Sequence, residues 1–198
     1  VPRFYDATQG EVLVDGVDVR DYTLKALRDK IGYVPQQSFL FKGTIASNVA
    51  YGDTDRDDDT VRRACDVAQA TEFIDKKQQK YDSGISQGGS NVSGGQKQRL
   101  SIARAVYRHP EILIFDDSFS ALDFKTDRAV RDALEKEAKD STKLIVAQRI
   151  GTIMNADRII VLDDGKVVGQ GTHEELLDTC EVYRQIAESQ LSEDELKR

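Results

Sequence analysis

The chain has 198 residues, of which 39% are hydrophobic and 32% charged, and its formal net charge is −7. This length suits one globular domain, or one core with an attached subdomain. Acidic and basic residues are interspersed, which argues against nucleic acid as the main partner, because phosphate backbones are bound by concentrated Lys and Arg. No apolar run approaches the roughly 20 residues that cross a bilayer, so a membrane role requires another chain or another segment.

The termini and the cysteines give further expectations. The chain starts at Val1 and its one methionine is Met154, so we expect it to be a piece of a longer polypeptide. No secretory signal peptide is recognisable at the start. Cys65 and Cys180 are far apart and lack metal-ligand spacing, which predicts two free thiols in a reducing compartment.

The first forty residues predict a hairpin, a short helix and a strand. Apolar and polar residues alternate over residues 10–19, around the turn pair Asp15-Gly16, as in a β-hairpin. Residues 23–29 predict a helix whose N-cap is Thr23. Residues 31–34 predict a strand that ends before a proline.

The segment 41–108 is predicted to be helical, without strand partners, and to form a subdomain inserted between parts of a sheet. Residues 57–68 open with three aspartates, which suit a helix N-terminus, and their apolar positions recur at helical spacing. Residues 93–107 predict a second helix.

The remaining chain alternates strands and helices, which predicts an α/β fold. Residues 112–115 and 144–147 are continuous apolar runs, typical of strands buried on both faces of a parallel sheet. A helix over residues 125–139 would connect them. A hairpin over residues 159–168 and one acidic amphipathic helix over residues 176–191 complete the prediction.

Polar side chains follow three of the predicted strands. Gln36 comes after one strand, Asp116 and Asp117 after the next, and Gln148 after the third. Each could be an ordinary strand-ending residue, but in open parallel sheets ligands bind beyond the carboxyl ends of the strands. A carboxylate after four apolar residues is costly unless it is paired or holds a cation. Asp116 is therefore a candidate Mg²⁺ ligand of a phosphoryl-transfer site.

The tripeptide Ser93-Gly94-Gly95 stands at the start of a predicted helix. It offers a hydroxyl, backbone N–H groups and the helix dipole, with no bulky side chain to block a phosphate. Alone it is more typical of a linker or a helix cap. It becomes specific because Gln96 and a basic stretch follow, and then the strand that ends at Asp117.

These motifs together resemble the nucleotide-binding domain of ABC transporters, and of exporters in particular. Residues 92–96 resemble the signature motif, 112–117 the Walker B strand and 120–123 the D-loop. The resemblance implies a P-loop NTPase (RecA-like) core with a mainly parallel sheet, comprising residues 1–40 and 109–198, with 41–108 as the helical subdomain. It implies ATP and Mg²⁺ as cofactors. It implies as partners a second ABC nucleotide-binding domain and transmembrane domains, fused to this chain in one polypeptide, at the cytoplasmic face of the cell membrane.

The resemblance also implies roles for individual residues. Gln36 matches the Q-loop glutamine, which contacts Mg²⁺ and senses the transmembrane domain, and Asp116 matches the Walker B metal ligand. Asp117 and Gln148 stand at the positions of the catalytic base and the switch. The residues expected to contact nucleotide are Gln36, Ser93, Gly94, Gly95, Gln96 and Asp123. Residues 86–91 resemble the exporter X-loop, and His173 is expected to start a helix rather than to catalyse.

Three departures from the family pattern stand beside these matches. No GxxxxGKS or GxxxxGKT segment occurs, and because residues 3–5 resemble the stretch after the P-loop helix, we expect the P-loop before Val1. Asp117 stands where the family usually has Glu, so its carboxylate is one C–C bond short of the usual reach. Gln148 stands where the family usually has His, and an amide cannot carry a proton.

Two losses at one site resemble the degenerate subunit of a heterodimeric exporter, which binds ATP, hydrolyses it poorly and completes its partner's competent site with an intact signature. Three alternatives remain open. One is a homodimeric exporter with a slow Asp base, against which Gln148 counts. Another is an ABC ATPase of DNA maintenance, although those carry long coiled coils that this sequence lacks. The last is a non-catalytic interaction fragment.

Overall fold

The computed structural model describes residues 1–192 of the chain. Its contacts group the residues into two units, Val1–Val146 and Ala147–Arg198. The sequence-based boundaries at residues 41 and 108 fall inside the first unit, and that subdivision stays a prediction.

The first unit begins with the predicted hairpin and helix. Strands β1 (Leu13–Val14) and β2 (Val17–Asp18) pair antiparallel, and the turn residues Asp15 and Gly16 take φ of 51° and 75°, as a two-residue hairpin turn requires. Helix α1 (Leu24–Asp29) starts where predicted, because the Thr23 side chain accepts a hydrogen bond from the Ala26 N–H at 3.2 Å. Strand β3 (Ile31–Val34) comes next.

The segment predicted to be purely helical contains a short strand pair. In chain order its strands and α-helices are β4 (Gly43–Thr44), α2 (Ile45–Val49), α3 (Asp58–Val67), α4 (Thr71–Asp75), β5 (Gly84–Ile85) and α5 (Gly94–Tyr107), and two 3-10 helices, Lys80–Asp82 and Gln87–Gly89, flank β5. Because β4 pairs antiparallel with β5, the expectation of no strand partner is wrong. Strands of two residues are too short to leave a periodic signal in the sequence.

The two long helices of this segment confirm their predictions. The Asp57 carboxylate caps α3 by accepting from the N–H groups of Asp59 and Thr60, and Ser93 caps α5. Both helices contribute apolar side chains to one core that also includes the central strand of the sheet. These buried side chains are Val61, Ala64, Cys65, Leu100, Ile102, Ala103, Leu113 and Phe115.

A parallel three-stranded sheet lies beside this core. Its other strands are β6 (Ile112–Asp116) and β7 (Thr142–Val146), connected by helix α6 (Phe124–Glu137), and the order is β3-β6-β7. The register places Val34 opposite Phe115 and Asp116 opposite Val146. The carboxyl ends of all three strands therefore meet at one edge, as the α/β prediction requires.

The two apolar strands, β6 and β7, differ in how far their side chains are buried. Strand β6 is buried through Leu113, Ile114 and Phe115, whereas Leu144 and Val146 of β7 are 43% and 50% exposed. The prediction that both strands are buried on two faces is thus wrong for β7. Leu144 and Val146 lie on the same face of β7, and that face is exposed among the described residues, whereas Ile145 on the opposite face packs against the core.

The second unit contains α7 (Ile150–Ile153), the hairpin β8 (Ile159–Asp163) and β9 (Lys166–Gly171), and helices α8 (His173–Thr179) and α9 (Glu181–Gln190). The hairpin is as predicted, but the single helix over residues 176–191 is wrong. Cys180 has φ −122° and ψ 103°, an extended backbone that separates α8 from α9. Its side chain is buried and packs against β9, with Sγ 3.9 Å from the Val168 carbonyl oxygen.

His173 is the first residue of α8, as expected. Its Nδ1 lies 2.8 Å from the Tyr183 hydroxyl of α9 within this unit. Among residues 1–192, no helix combines the length and the hydropathy needed to cross a membrane.

Candidate functional site

Asp116 ends the central strand, and its carboxylate is held by the neighbouring strand. The Tyr33 hydroxyl of β3 donates to Asp116 Oδ2 at 3.0 Å. Burial, and then the bond to this carboxylate, raise the pKa of Tyr33 above its ordinary value, so the phenol stays protonated and remains a donor. Tyr33 therefore fixes one oxygen of Asp116 and with it the orientation of the carboxylate.

Gln36 and Asp117 meet at the same edge, as the parallel arrangement predicts. Gln36 Nε2 donates to Asp117 Oδ2 at 3.3 Å. Asp117 has a left-handed backbone with φ 44°, and its N–H donates to the Val146 carbonyl at 2.9 Å. Asp and Asn tolerate this backbone region better than most residues. The next residue, Ser118, is fully buried and donates to the Val34 carbonyl at 2.8 Å, so the ends of β3 and β6 are tied together.

The N-terminus of α5 is organised by a capping box. Ser93 Oγ accepts from the Gln96 N–H at 3.3 Å, and Gln96 Oε1 accepts from the Ser93 N–H at 3.2 Å. Both side chains are thus engaged within the chain, and the glycines supply the open surface. A Cβ on Gly94 would meet no described atom within 4 Å, and one on Gly95 would first meet the Ala121 carbonyl oxygen at 3.5 Å. The start of this 14-residue helix therefore offers backbone N–H groups to an anion.

Asp123 has a local structural role as the N-cap of α6. Its Oδ1 accepts from the Thr126 N–H at 3.0 Å, and its Oδ2 accepts from the Thr126 hydroxyl at 2.7 Å. The backbone bond, and after it the hydroxyl bond, lowers the pKa of Asp123 below its ordinary value. The side chain is exposed, and its expected contact with nucleotide stays a prediction.

Gln148 belongs to the second unit, where its carbonyl accepts a hydrogen bond from Gln190 Nε2 at 2.9 Å. Its role as the switch residue stays a prediction, as do the nucleotide contacts of Ser93, Gly94, Gly95 and Gln96.

The chemistry of the edge residues fits Mg²⁺ bound together with phosphates. Asp116 and Gln36 present carboxylate and amide oxygens, the donor type that Mg²⁺ prefers, and this ion commonly takes one or two carboxylates plus substrate phosphates and water. Within residues 1–192, no group of three or more His, Cys, Asp or Glu could hold a metal ion. One carboxylate and one amide oxygen would leave coordination positions of the ion to phosphate oxygens and water.

Sequence reasoning did not predict an aromatic surface that follows Gln36 in the chain. It consists of Phe39, Phe41 and Tyr51. The rings of Phe41 and Tyr51 are stacked with centroids 4.3 Å apart, and Phe39 meets Phe41 edge-on at 5.3 Å. The Arg104 guanidinium of α5 lies 5.5 Å and 5.6 Å from the centroids of Phe41 and Tyr51. Because Phe39 and Tyr51 are 46% and 51% exposed, this surface is open to a partner.

Tyr33 was also missed, although a signal existed. It lies on β3 at the register position opposite Ile114, near a strand end that already carried two polar positions. Because successive side chains of a strand point to opposite faces, the sequence would have placed Tyr33 on the face opposite that of the buried Val34.

Comparisons with known proteins agree with this geometry. A family model described as ABC transporter matches residues 2–120. The chain is 48% identical over 191 residues to an uncharacterized ABC transporter ATP-binding protein of Mycobacterium bovis, covering 95% of this chain and 32% of that protein. It is 44% identical over 192 residues to the ATP-dependent lipid A-core flippase of Vibrio vulnificus, covering 96% and 33%. It is 42% identical over 186 residues to the putative multidrug export ATP-binding/permease protein YgaD of Bacillus subtilis, covering 94% and 32%.

A solved structure described as a bacterial Atm1-family ABC exporter with ATP bound matches with a TM-score of 0.93 and 38% identity, over 97% of this chain and 34% of that one. The chain thus spans about a third of the length of these relatives. The predicted α/β fold of an ABC nucleotide-binding domain and the resemblance to exporters are confirmed. Since the family model matches more than half of its length, the chain belongs to the ABC transporter family.

Proposed function

We propose that this chain is the ATP-binding domain of an ABC exporter and couples ATP binding and hydrolysis to export of a substrate across a membrane. The observation that carries the proposal is the cluster of Tyr33, Gln36, Asp116 and Asp117 at the carboxyl edge of the sheet. The exporter and flippase names of the relatives support it. Transmembrane domains on the same polypeptide would place this chain at the cytoplasmic face of the membrane.

The edge residues suit distinct tasks in ATP hydrolysis. Asp116 and Gln36 would hold Mg²⁺, which when bound neutralises the charge of the phosphates. Tyr33 orients Asp116 through its hydroxyl. Asp117 would accept a proton from a water, and Gln36 Nε2 steadies its carboxylate. A base must reach within hydrogen-bond distance of that water, so the short Asp side chain predicts slow hydrolysis at this site.

We further propose that this chain is the degenerate half of a heterodimer. Its signature Ser93-Gly94-Gly95 is intact and would complete an ATP site on a second nucleotide-binding domain. That partner should carry a Glu after its Walker B aspartate, a switch His and an altered signature. The alternative is a homodimer with a slow Asp base. The two hypotheses differ in whether Asp117 or a residue of the partner limits the ATPase rate.

The aromatic surface supports contact with the transmembrane domains. Exposed aromatic side chains are enriched at protein interfaces, and this surface is continuous with the Gln36 loop through Phe39. Arg104, which lies against the rings of Phe41 and Tyr51, is half-buried, so the aromatic surface presents rings rather than charge. A helix end of the transmembrane domain resting there would contact the segment that carries Gln36.

The experiment compares Gly95→Asp with Asp117→Asn in the assembled transporter, by steady-state ATPase assay. We expect Gly95→Asp to abolish most activity, because a carboxylate at the helix N-terminus would repel the partner's γ-phosphate. Asp117→Asn should leave most activity intact, because it alters the weak site alone. If Asp117→Asn were the more damaging change, the homodimer would replace the heterodimer.

Gly95→Ala is the matched control. The space at Gly95 admits a Cβ at 3.5 Å from its nearest described neighbour, and a carboxylate near a helix N-terminus is favourable for folding. The two variants at Gly95 should therefore unfold at the wild-type temperature, and Gly95→Ala should retain clearly more ATPase activity than Gly95→Asp. Equal losses in the two variants would assign the effect to bulk instead of charge.

A further inference from the structure

The loop after β3 is bonded to two different elements. At one end, Gln36 Nε2 donates to Asp117 Oδ2 at the end of β6. Two residues later, Ser38 Oγ donates to Gln98 Oε1 on α5 at 2.6 Å. The loop therefore bridges the carboxyl edge of the sheet and the helix that begins with the signature.

Gln98 is an unusual residue to find at its position. Its side chain is 2% exposed, and Nε2 has no hydrogen-bond partner among the described residues. A buried amide with only one of its groups paired destabilises a fold relative to an apolar side chain of similar shape. Because its neighbours on α5, Leu100 and Ile102, are apolar and fully buried, an apolar residue would serve the core better. The amide therefore points to a role beyond stability.

The place of Gln98 on α5 suggests that role. It lies one helical turn after Gly94, and close-packed interiors have low compressibility and transmit strain. A shift of Ser38 is thereby passed to the N–H groups at the start of α5. Gln36 faces the nucleotide edge of this chain, whereas the signature would face a nucleotide on the second domain.

We infer that Gln98, acting through Ser38, is a positioning residue that couples the Gln36 loop to the signature end of α5. Nucleotide at this chain's own edge would then set the placement of the signature against the nucleotide of the second domain. The inference rests on the proposed function and adds to it a route between the two ATP sites. By linkage the coupling acts in both directions.

The test measures ATPase kinetics and thermal unfolding of the full-length, assembled protein with Ser38→Ala, Gln98→Met and the double variant. Ser38→Ala leaves the buried amide with neither group paired, so we expect the unfolding temperature to fall by about 2–4 °C. We expect kcat to fall while KM for ATP stays unchanged, because the signature would be misplaced only in the closed, reacting assembly. In the double variant both polar groups are gone, so stability should return while kcat stays low.

Ser141→Ala is the matched control, because Ser141 is a similarly half-buried serine whose hydroxyl donates to the Pro110 carbonyl at 2.7 Å. It should lower the unfolding temperature and leave kcat unchanged. If the double variant recovers kcat together with stability, the bond is merely structural and the inference is overturned. The same conclusion holds if Ser38→Ala destabilises the protein without lowering kcat. A wild-type assembly without ATPase activity would instead overturn the proposed function, and this inference with it.

Discussion

At Asp117 the backbone is left-handed, with φ 44°, and the carboxylate is held by the Gln36 amide at 3.3 Å. Both features fix where the carboxylate points, so its reach is set by the length of the side chain. Glu would extend that reach by one C–C bond of about 1.5 Å. Gln148 stands at the proposed switch position, and its amide donates and accepts hydrogen bonds but cannot take up a proton.

We therefore expect Asp117→Glu combined with Gln148→His to raise hydrolysis at this site, by up to about the 10²–10⁴ typical of a well-placed general base. The ATPase assay needs a partner subunit whose own catalytic Glu is disabled, so that the rate reports this site. Each single variant serves as a control for the pair.

Glu at a left-handed position costs up to about 1–2 kcal/mol, so unfolding temperatures must accompany the rates. If the double variant stays folded and gains no activity, the partner's signature rather than this chain's base limits the site.

The meeting of Gln36 with Asp117 was predictable, because parallel strands bring their carboxyl ends to one edge. The bond between Ser38 and Gln98 was not. These residues are 60 positions apart. Each lies within two residues of a recognised motif residue, Gln36 or Gln96, but no local pattern pairs them. Sequence patterns report local periodicity, whereas this contact depends on how α5 packs against the loop.

At the scale of elements, the helix starts were the most predictable feature. Thr23, Asp57 and Ser93 are side-chain caps in the structure, and capping is a local interaction that three or four adjacent residues determine. The split between α8 and α9 was missed because it depends on burial of Cys180 against β9, a tertiary contact that overrides helical periodicity. The two-residue strands β4 and β5 were missed for lack of length.

The cap of α6 gives a prediction for acid conditions. The folded protein lowers the pKa of Asp123 through hydrogen bonds from Thr126, so this carboxylate stabilises α6 above its unfolded pKa, and the contribution is lost as pH falls through the folded value. We expect wild type to unfold at a higher temperature than Asp123→Asn near neutral pH. The difference should narrow once pH falls below about 3.9, the ordinary pKa of Asp, and vanish below the lowered pKa of the folded state.

Thermal unfolding across this pH range checks the prediction. Asp55→Asn, in the exposed loop between α2 and α3, is a control at an aspartate that caps no helix. A pH-independent difference between wild type and Asp123→Asn would mean that the hydrogen bonds, and not the charge, stabilise the helix.

At the scale of the whole molecule, composition and strand-helix alternation were sufficient to predict the α/β class. They were insufficient to predict which strand is covered. Apolar runs of similar length became the central β6 and the edge strand β7, because the order of strands in a sheet is set by non-local pairing. Which face of a strand is covered is also a tertiary property, and Leu144 and Val146 are 43% and 50% exposed.

The sequence and this exposure together give a prediction about nucleotide affinity and solubility for residues 1–198 as an isolated chain. The sequence contains no GxxxxGKS or GxxxxGKT segment, the motif whose backbone N–H groups cradle the phosphates and whose Lys reaches them. Asp116, Gln36 and a bound Mg²⁺ would contact a nucleotide without that cradle. We therefore expect the isolated chain to bind Mg²⁺-ATP no better than about millimolar, an affinity that corresponds to about 4 kcal/mol. We also expect it to be poorly soluble, because β7 exposes Leu144 and Val146 and, among the described strands, pairs on one side only.

Isothermal titration calorimetry of the isolated chain with Mg²⁺-ATP measures this affinity, and the full-length assembled protein provides the comparison. Tight binding by residues 1–198 that disappears when Mg²⁺ is chelated would contradict the prediction, since the described edge would then hold the nucleotide unaided. Weak binding by the isolated chain and tight binding by the assembly would instead locate the missing phosphate contacts outside these 198 residues. The chain would then contribute the metal ligands, the base and the signature of an ATP site that is complete only in the assembled protein.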